Sequence, residues 1–267
     1  MTIGPGMIRI CVDSNSQLPR VLAERFGIAV VPVVVTVDGV EYHEGVDLDE
    51  DAFYAMWTED HEPVVSTSQP PPGDFATAYA ALVEDGATEI LSVHVGESWS
   101  GTINSARLAA ADASVPVRLV DSGNASFGIS CCAWAAAEAV LEGADLETAA
   151  RTAEERAAHL GTAFVVGVPQ LAEQSGRATR AGIAAAAEAG IPVVAMSGGE
   201  VEVLASVTST HAAVAAMRDY ALGWTPSMIG GLRVAIGTSD MGSAPAARLL
   251  TEVLEGHGDV ADIVQYR

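Results

Sequence analysis

The chain of 267 residues is long enough for one large domain or two modest ones with a substantial buried core. Its net charge of −22 comes from 35 acidic residues against 13 basic ones, and this acidity opposes binding to nucleic acid and to anionic membrane surfaces. Every basic residue is Arg, and the absence of Lys excludes Schiff-base chemistry, pyridoxal phosphate attachment and a Walker-type phosphate loop.

The start of the chain and its cysteine pattern predict a soluble cytoplasmic protein. Met-Thr-Ile-Gly-Pro-Gly lacks the basic and apolar segments of a signal peptide, and no uncharged apolar run reaches the roughly 18 residues of a membrane span. Cys11, Cys131 and Cys132 show neither zinc-ligand spacing nor a disulfide framework. We therefore expect small, buried thiols in a reducing compartment.

Strand-like apolar runs recur along the chain, with helix-like segments of Ala, Leu, Val and Glu between them. The predicted strands are Ile8 to Val12, Ala29 to Val37, Glu89 to Val95, Val117 to Val120, Phe164 to Val168, Pro192 to Met196, Val201 to Val207, Val234 to Gly237 and Asp259 to Gln265. Such alternation is typical of an α/β protein whose largely parallel sheets are flanked by helices. Ligands bind in these folds beyond the carboxyl ends of the strands.

Two Ala-rich helices, Ala125 to Leu141 and Leu146 to Leu160, precede a second series of strands and helices. We therefore expect two domains, an N-terminal α/β domain over residues 1–160 and a C-terminal α/β domain over residues 161–267.

Hydroxyl-rich clusters occur at two junctions between a predicted strand and a predicted helix. The first is Ser66-Thr67-Ser68-Gln69-Pro70, and the second is Ser100-Gly101-Thr102. Backbone N–H groups and the positive end of the helix dipole face out of a helix N-terminus, so adjacent N-termini that carry Ser and Thr can hold an anion. Neither cluster contains Lys or Arg, which favours a carboxylate over a polyphosphate. Thr67, Ser68, Ser100, Gly101 and Thr102 are the candidate ligand-binding residues.

A simpler interpretation of both clusters is helix capping, since Ser is a common N-cap residue. The tripeptide Val-Asp-Ser, at 12–14 and again at 120–122, allows the same two interpretations, a helix cap or a wall of the ligand cleft. The prolines at 70–72 predict a stiff turn into the following helix, with Asp74 supporting the dipole of that helix.

The six histidines include no pair with metal-ligand spacing, so we expect no metal site. His94 ends a predicted strand just before Gly96-Glu97-Ser98-Trp99-Ser100, and it is either a contact of the ligand or an ordinary hydrogen-bonded histidine. That segment ends in Ser where the nucleophile elbow of serine hydrolases requires Gly, which argues against hydrolase chemistry.

Five short motifs together resemble the DegV family of bacterial fatty-acid-binding proteins. In the family's order and approximate spacing they are Val12-Asp13-Ser14, Thr67-Ser68-Gln69-Pro70, Ser100-Gly101-Thr102, Val120-Asp121-Ser122 and Ser175-Gly176-Arg177. The resemblance implies a two-domain α/β protein that buries one fatty acid with its carboxylate at the two hydroxyl clusters. It also implies that the C-terminal domain covers the acyl chain and that a separate fatty acid kinase phosphorylates the bound acid.

The resemblance places Arg177 on the kinase-facing side of the site, although the same residue can simply follow a helix-ending glycine. The chain departs from the family pattern at two places. The family usually carries basic residues where this chain has none, from Val201 to Thr210. The family also usually ends with His-x-Gly-Pro-Gly, and this chain stops at Gln265-Tyr266-Arg267, about where that segment should begin. We therefore expect Arg177 to be the main residue for guiding phosphoryl transfer.

The sequence thus predicts a protein that binds one long-chain fatty acid, uses no cofactor and carries no catalytic machinery of its own. The competing hypothesis is an α/β enzyme that acts on a small carboxylated or phosphorylated metabolite at the same strand ends. That enzyme would need a titratable group beside the hydroxyl clusters, for which His94, Glu97 and Asp121 are the candidates.

Overall fold

The computed structural model describes residues 7–58, 60–165, 182–197, 200–224, 231–239 and 242–266. The strands are β1 (Ile8–Asp13), β2 (Ala29–Val31), β3 (Val34–Val37), β4 (Val40–His43), β5 (Val65–Ser68), β6 (Glu89–His94), β7 (Val117–Asp121), β8 (Thr162–Val165), β9 (Ile191–Ser197), β10 (Glu200–Val207), β11 (Leu232–Gly237) and β12 (Val260–Tyr266). The helices are α1 (Arg20–Phe26), α2 (Glu50–Tyr54), α3 (Pro72–Glu84), α4 (Thr102–Ala111), α5 (Phe127–Leu141), α6 (Leu146–Ala157), α7 (Ile183–Ala189), α8 (Thr210–Leu222) and α9 (Ala244–Glu255).

The chain divides into two compact units. The first contains Met1–Asp49 and Thr67–Leu160, and the second contains Glu50–Ser66 and Gly161–Arg267.

A four-stranded parallel sheet in the order β2-β1-β6-β7 lies at the centre of the first unit. Its strands are rich in β-branched residues and buried on both faces, as expected for a parallel sheet between helices. Val93 of β6 lies in register with Val12 of β1 and with Val120 of β7. The carboxyl ends of these strands therefore meet at one edge of the sheet.

Helices cover both faces of this sheet. On one face α5 and α6 pack their alanines against alternate strand residues such as Val12, Leu91 and Val93. On the other face α3 and α4 pack against Cys11 and Ile90. The small alanines let α5 and α6 approach the sheet closely, which explains how a chain with few aromatic residues buries its core.

A small three-stranded sheet in the order β4-β3-β5 corrects one sequence-based prediction. The single strand expected from Ala29 to Val37 is two strands, because Pro32 has no backbone N–H to continue a ladder. A hairpin then joins β3 to β4 through Asp38 and Gly39, whose φ angles are +50° and +82°. Both values suit the tight hairpin turn that Asp-Gly sequences favour.

Strands of the second unit form two sheets. Strands β8, β9 and β10 pair antiparallel, whereas β11 and β12 pair parallel. The prediction of an α/β fold with parallel sheet and flanking helices is confirmed. The predicted strands at 192–196 and 201–207, however, pair with each other antiparallel.

Candidate functional site

The candidate site lies in the first unit, at the sheet edge where β1, β6 and β7 end. Because the three strands are parallel neighbours, the loops that follow them lie side by side. The loop after β6 contains Gly96 to Gly101 and leads directly into α4. The predicted cluster Ser100-Gly101-Thr102 is therefore at the carboxyl edge of the sheet, as the sequence suggested.

Ser100 does not cap α4 in the ordinary way. The capping position is occupied by Gly101, so no side chain caps this helix. Ser100 Oγ instead lies 2.8 Å from the Thr102 hydroxyl and accepts the Thr102 backbone N–H at 3.3 Å. The simple capping interpretation of Ser100 is therefore wrong, and a pair of hydroxyls lies at the positive end of the α4 dipole.

The side chain of Gln69 joins the two hydroxyl clusters. Its Nε2 donates to Ser105 Oγ at 3.0 Å, which ties the end of β5 to the first turn of α4. Its amide oxygen lies against Gly101, where a Cβ atom would overlap it. Glycine at 101 therefore leaves room for the Gln69 side chain in this position, and a larger residue would require that side chain to move.

Thr67 and Ser68 are exposed at the end of β5, and the turn that follows them is stiff. Pro71 precedes α3 and Pro72 is its first residue, with Asp74 in the first turn, as predicted. Proline fixes φ at both positions, which restricts the directions that the hydroxyl segment can take.

Charged groups near the Ser100 loop are already engaged. Arg107 of α4 forms an ion pair with Glu97 at 3.5 Å. Asp121 accepts the backbone N–H groups of Gly123 at 2.9 Å and of Glu97 at 3.2 Å. In the described part of the chain, hydroxyls and backbone amides thus carry the polar chemistry of this loop. Ser175, Gly176 and Arg177 lie outside the described residues.

The two Val-Asp-Ser copies do not cap helices, so that interpretation is wrong. Asp13 directs its carboxylate to the backbone N–H of Val95 at 3.1 Å, across to β6. Ser122 Oγ donates to the Asn124 carbonyl and accepts the Asn124 N–H. The Asn124 carbonyl also accepts the Gly96 N–H at 2.9 Å. Both copies therefore hold the loop after β6 in place from the strands on either side.

His94, proposed from the sequence as a residue of the ligand or transfer side, is completely buried. Its Nδ1 lies 3.0 Å from Asp13 Oδ2, and its Nε2 lies 2.7 Å from Ser92 Oγ. The structure therefore shows His94 as a buried, hydrogen-bonded histidine, and its assignment to the ligand or transfer side stays a prediction.

The sequence placed Gln69 in the first hydroxyl-rich cluster but gave it no role of its own, and it did not identify Ser92 and Tyr79 as support for the site. One signal was present, because Ser92 and His94 interrupt an apolar strand at alternate positions that face the same side of the sheet. The role of Gln69 depends on a contact between segments 36 residues apart, which spacing along the chain does not reveal.

Two further features concern metals and membranes. Within the described ranges, no three His, Cys, Asp or Glu side chains are grouped so that they could hold a metal ion. The helices described here include none long and apolar enough to cross a membrane.

Comparisons with known proteins agree on one family. The family model described as "Uncharacterised protein, DegV family" matches residues 7–265. A DegV domain-containing protein of Streptomyces coelicolor is 34% identical over 215 residues, covering 80% of this chain and 76% of the relative.

Solved structures agree with this match. A DegV family protein from Thermus thermophilus, described by its fatty acid binding, superposes with a TM-score of 0.83 at 26% identity and covers 97% of this chain and 91% of its own. DegV of Bacillus subtilis, described as a fatty acid binding protein, superposes with a TM-score of 0.82 at 21% identity, covering 98% of this chain and 93% of its own, which supports the fold.

Proposed function

The chain belongs to the DegV family, and from that premise we propose that it binds one long-chain fatty acid with the carboxylate held by Ser and Thr hydroxyls and backbone amides. The observation that carries the proposal is the contact of Gln69 with Gly101 and Ser105, which joins the two hydroxyl clusters. The fatty acid binding of the Thermus thermophilus neighbour supports the choice of ligand.

A carboxylate suits this site because it only accepts hydrogen bonds. The hydroxyls of Thr67 and Ser68 can each donate one, and either Ser100 or Thr102 can donate another, because one hydroxyl of that pair donates to the other. The first-turn amides of α4 add partial positive charge. Hydrogen bonds to an ionised acceptor are the stronger ones, about 1.5 to 3 kcal/mol each. Orientation of the acid can therefore follow from the hydroxyls and amides.

The acyl chain supplies most of the binding free energy. Burial gains about 0.8 kcal/mol per methylene, so an acid of about 16 carbons offers a gross gain of about 12 kcal/mol before the losses of binding entropy and desolvation. The assignment of the acyl chain to residues 161–267 stays a prediction.

Presentation of the bound acid to a separate fatty acid kinase is the second part of the proposal, with Arg177 as the residue that guides transfer. It rests on the family resemblance and on the suitability of Arg for two-pronged binding of phosphate. In an assay with such a kinase, Arg177→Ala and Arg177→Lys should form less acyl phosphate while binding fatty acid normally. Formation equal to wild type in both variants would remove Arg177 from this role.

The competing enzyme hypothesis is less well supported by the contacts of its candidate groups. His94 is buried in hydrogen bonds, Glu97 pairs with Arg107, and Asp121 accepts two backbone N–H groups. Within the described residues, the Ser100 and Thr102 hydroxyls bond to each other, and Ser100 Oγ also accepts the Thr102 N–H.

Mass spectrometry of an organic extract tests the binding proposal. Protein purified from a bacterial host should release a saturated or monounsaturated fatty acid at close to one per chain. Adding palmitate or oleate to delipidated protein should raise the melting temperature, because a ligand that binds the folded state stabilises it. An extract free of fatty acid, together with an unchanged melting temperature, would refute the proposal.

A further inference from the structure

Polar side chains occupy one buried face of the central sheet, where apolar ones are expected. Alternate residues of a strand face the same side, so Ser92 and His94 share the face of Ile90, which packs against α3 and α4. Asp13 of β1 lies beside them, and Tyr79 reaches them from α3. Asp13, Ser92 and His94 are fully buried and Tyr79 is 2% exposed.

These four residues form one continuous chain of hydrogen bonds. Tyr79 OH lies 2.9 Å from Ser92 Oγ, which lies 2.7 Å from His94 Nε2. His94 Nδ1 lies 3.0 Å from Asp13 Oδ2, the same oxygen that accepts the Val95 N–H at 3.1 Å. The ring of Phe75 packs edge-on against the imidazole, with centroids 5.0 Å apart.

One arrangement of hydrogens accounts for all the hydrogen bonds of the chain, whereas Asp13 Oδ1 is buried without a partner among the described residues. Asp13 Oδ2 accepts the Val95 N–H and acts as an acceptor toward His94 too, so we place the imidazole hydrogen on Nδ1 and let Nε2 accept the Ser92 hydroxyl. Ser92 in turn accepts the Tyr79 hydroxyl. Burial raises the pKa of Tyr79, and burial raises the pKa of the neighbouring Cys11 thiol to about 12, so both keep their hydrogens near neutral pH.

The chain connects the elements that carry the two hydroxyl clusters. Tyr79 and Phe75 belong to α3, which begins three residues after Gln69, and His94 ends the strand that leads to Ser100. Asp13 connects β1 to the same chain of hydrogen bonds. Its carboxylate accepts the N–H of Val95, the first residue of the loop that leads to Ser100. We propose that Asp13, His94, Ser92 and Tyr79 form a positioning network that fixes the separation of the two hydroxyl clusters, and this role rests on the proposed binding function.

Affinity measurements on single hydroxyl deletions test the network. Tyr79→Phe and Ser92→Ala should each weaken palmitate binding about tenfold, the equivalent of one hydrogen bond of about 1.4 kcal/mol. Ser130→Ala is the matched control, because Ser130 is also fully buried and donates to the Ser16 carbonyl at 2.8 Å but contacts neither α3 nor β6 through that bond. It should lose stability to a similar extent and keep the wild-type affinity.

A spectroscopic measurement on the wild-type protein separates positioning from simple support of the fold. With ¹⁵N-labelled histidine, His94 should show the neutral form with hydrogen on Nδ1, and its signals should shift when palmitate is added. The exposed His43, which lies 3.4 Å from Asp47, provides the comparison and should not respond. A His94 signal with hydrogen on Nε2 would overturn the deduced direction of the chain.

Failure of the network and failure of the proposed function give different results. Wild-type protein that binds palmitate, with both Tyr79→Phe and Ser92→Ala binding equally well, would overturn the positioning role alone. Wild-type protein that binds no fatty acid would overturn the binding function on which that role rests.

Discussion

At Gly101, two segments of the chain approach so closely that a side chain has no room beside Gln69. Gly101 is a candidate ligand-binding residue from the sequence, but the structure shows that Gln69 occupies the space on one side of it. Ser100 and Thr102 then bond to each other rather than capping α4. The chemistry of the site therefore depends on which contacts form between distant residues, and local sequence could not decide between a cap and an anion site.

Loss of a single hydroxyl should weaken binding without unfolding the protein. Ser100→Ala and Thr67→Ala should each reduce fatty-acid affinity by about 1 to 3 kcal/mol, the usual effect of removing a hydrogen bond to a charged group. A titration with a fluorescent fatty acid, with circular dichroism as the check on folding, measures this. Ser98→Ala, an exposed serine of the same loop, is the control. Unchanged affinity in both test variants would place the carboxylate elsewhere.

Adding one methyl group at Gly101 should disturb the site more than the fold. In Gly101→Ala the Gln69 side chain must move away from the new Cβ, which breaks its bond to Ser105 and separates the two hydroxyl clusters. We expect affinity to fall about tenfold or more, as for the loss of one to two hydrogen bonds. Gly73→Ala in α3, where a Cβ meets no atom within 4 Å, should leave binding intact. Equal affinities for the two variants would contradict the role of Gln69.

At the scale of elements, the parallel sheet and its helices were predictable, and the pairing of some strands was not. Apolar runs and Ala-rich periodicity correctly located β1, β6 and α5. Pro32 divided one predicted strand, and the Asp38-Gly39 hairpin was a readable signal that the prediction missed. Strand β9 is buried along most of its length, so periodicity alone could not distinguish its antiparallel pairing from that of a parallel strand.

Helix α6 offers a pH-dependent test of an element. Hydrogen bonds from the Thr148 side chain and backbone N–H hold the pKa of the Asp145 carboxyl below its usual value. A lowered folded-state pKa means stability that is present above the unfolded-state pKa and lost as pH falls through the folded-state value. Asp145→Ala should therefore lower the melting temperature at pH 7 and have less effect near pH 2.

The control for this test is Asp145→Asn, which keeps an acceptor for the Thr148 N–H but cannot titrate. Its melting temperature should lie between those of wild type and Asp145→Ala at pH 7. A difference between wild type and Asp145→Ala that stays the same from pH 7 to pH 2 would show that the ionised cap contributes nothing.

At the scale of the whole molecule, composition indicates an acidic surface and an aliphatic core. The arginines described on the surface include several that pair with carboxylates, such as Arg9 with Asp85 and Arg118 with Glu154. The prediction of buried thiols is confirmed for Cys11 and Cys132 and is wrong for Cys131, which is only partly buried. It could not predict the tertiary arrangement that brings Asp13 to His94, because those residues are 81 positions apart.

Buried thiols should make the folded protein sensitive to alkaline pH. Burial raises the pKa of Cys11 and of Cys132 from 9.0 to about 12. Their contribution is fully present below the unfolded-state pKa and lost as pH rises toward the folded-state value, so the free energy of unfolding should fall between pH 9 and about 12. Each thiol contributes a slope of about 1.4 kcal/mol per pH unit. Urea unfolding across this range measures the slope, which should be smaller in Cys132→Ala, and an equal slope in that variant would contradict the assignment.

The most direct test of the central claim compares palmitate with hexadecanol, which has the same number of carbons but no carboxylate. If hydroxyls and amides hold a carboxylate at the two clusters, delipidated wild-type protein should bind palmitate at one per chain and at least about tenfold more tightly than hexadecanol. Ser100→Ala should lose much of that preference. Equal affinity of the wild-type protein for the two compounds, or no binding of either, would contradict the account.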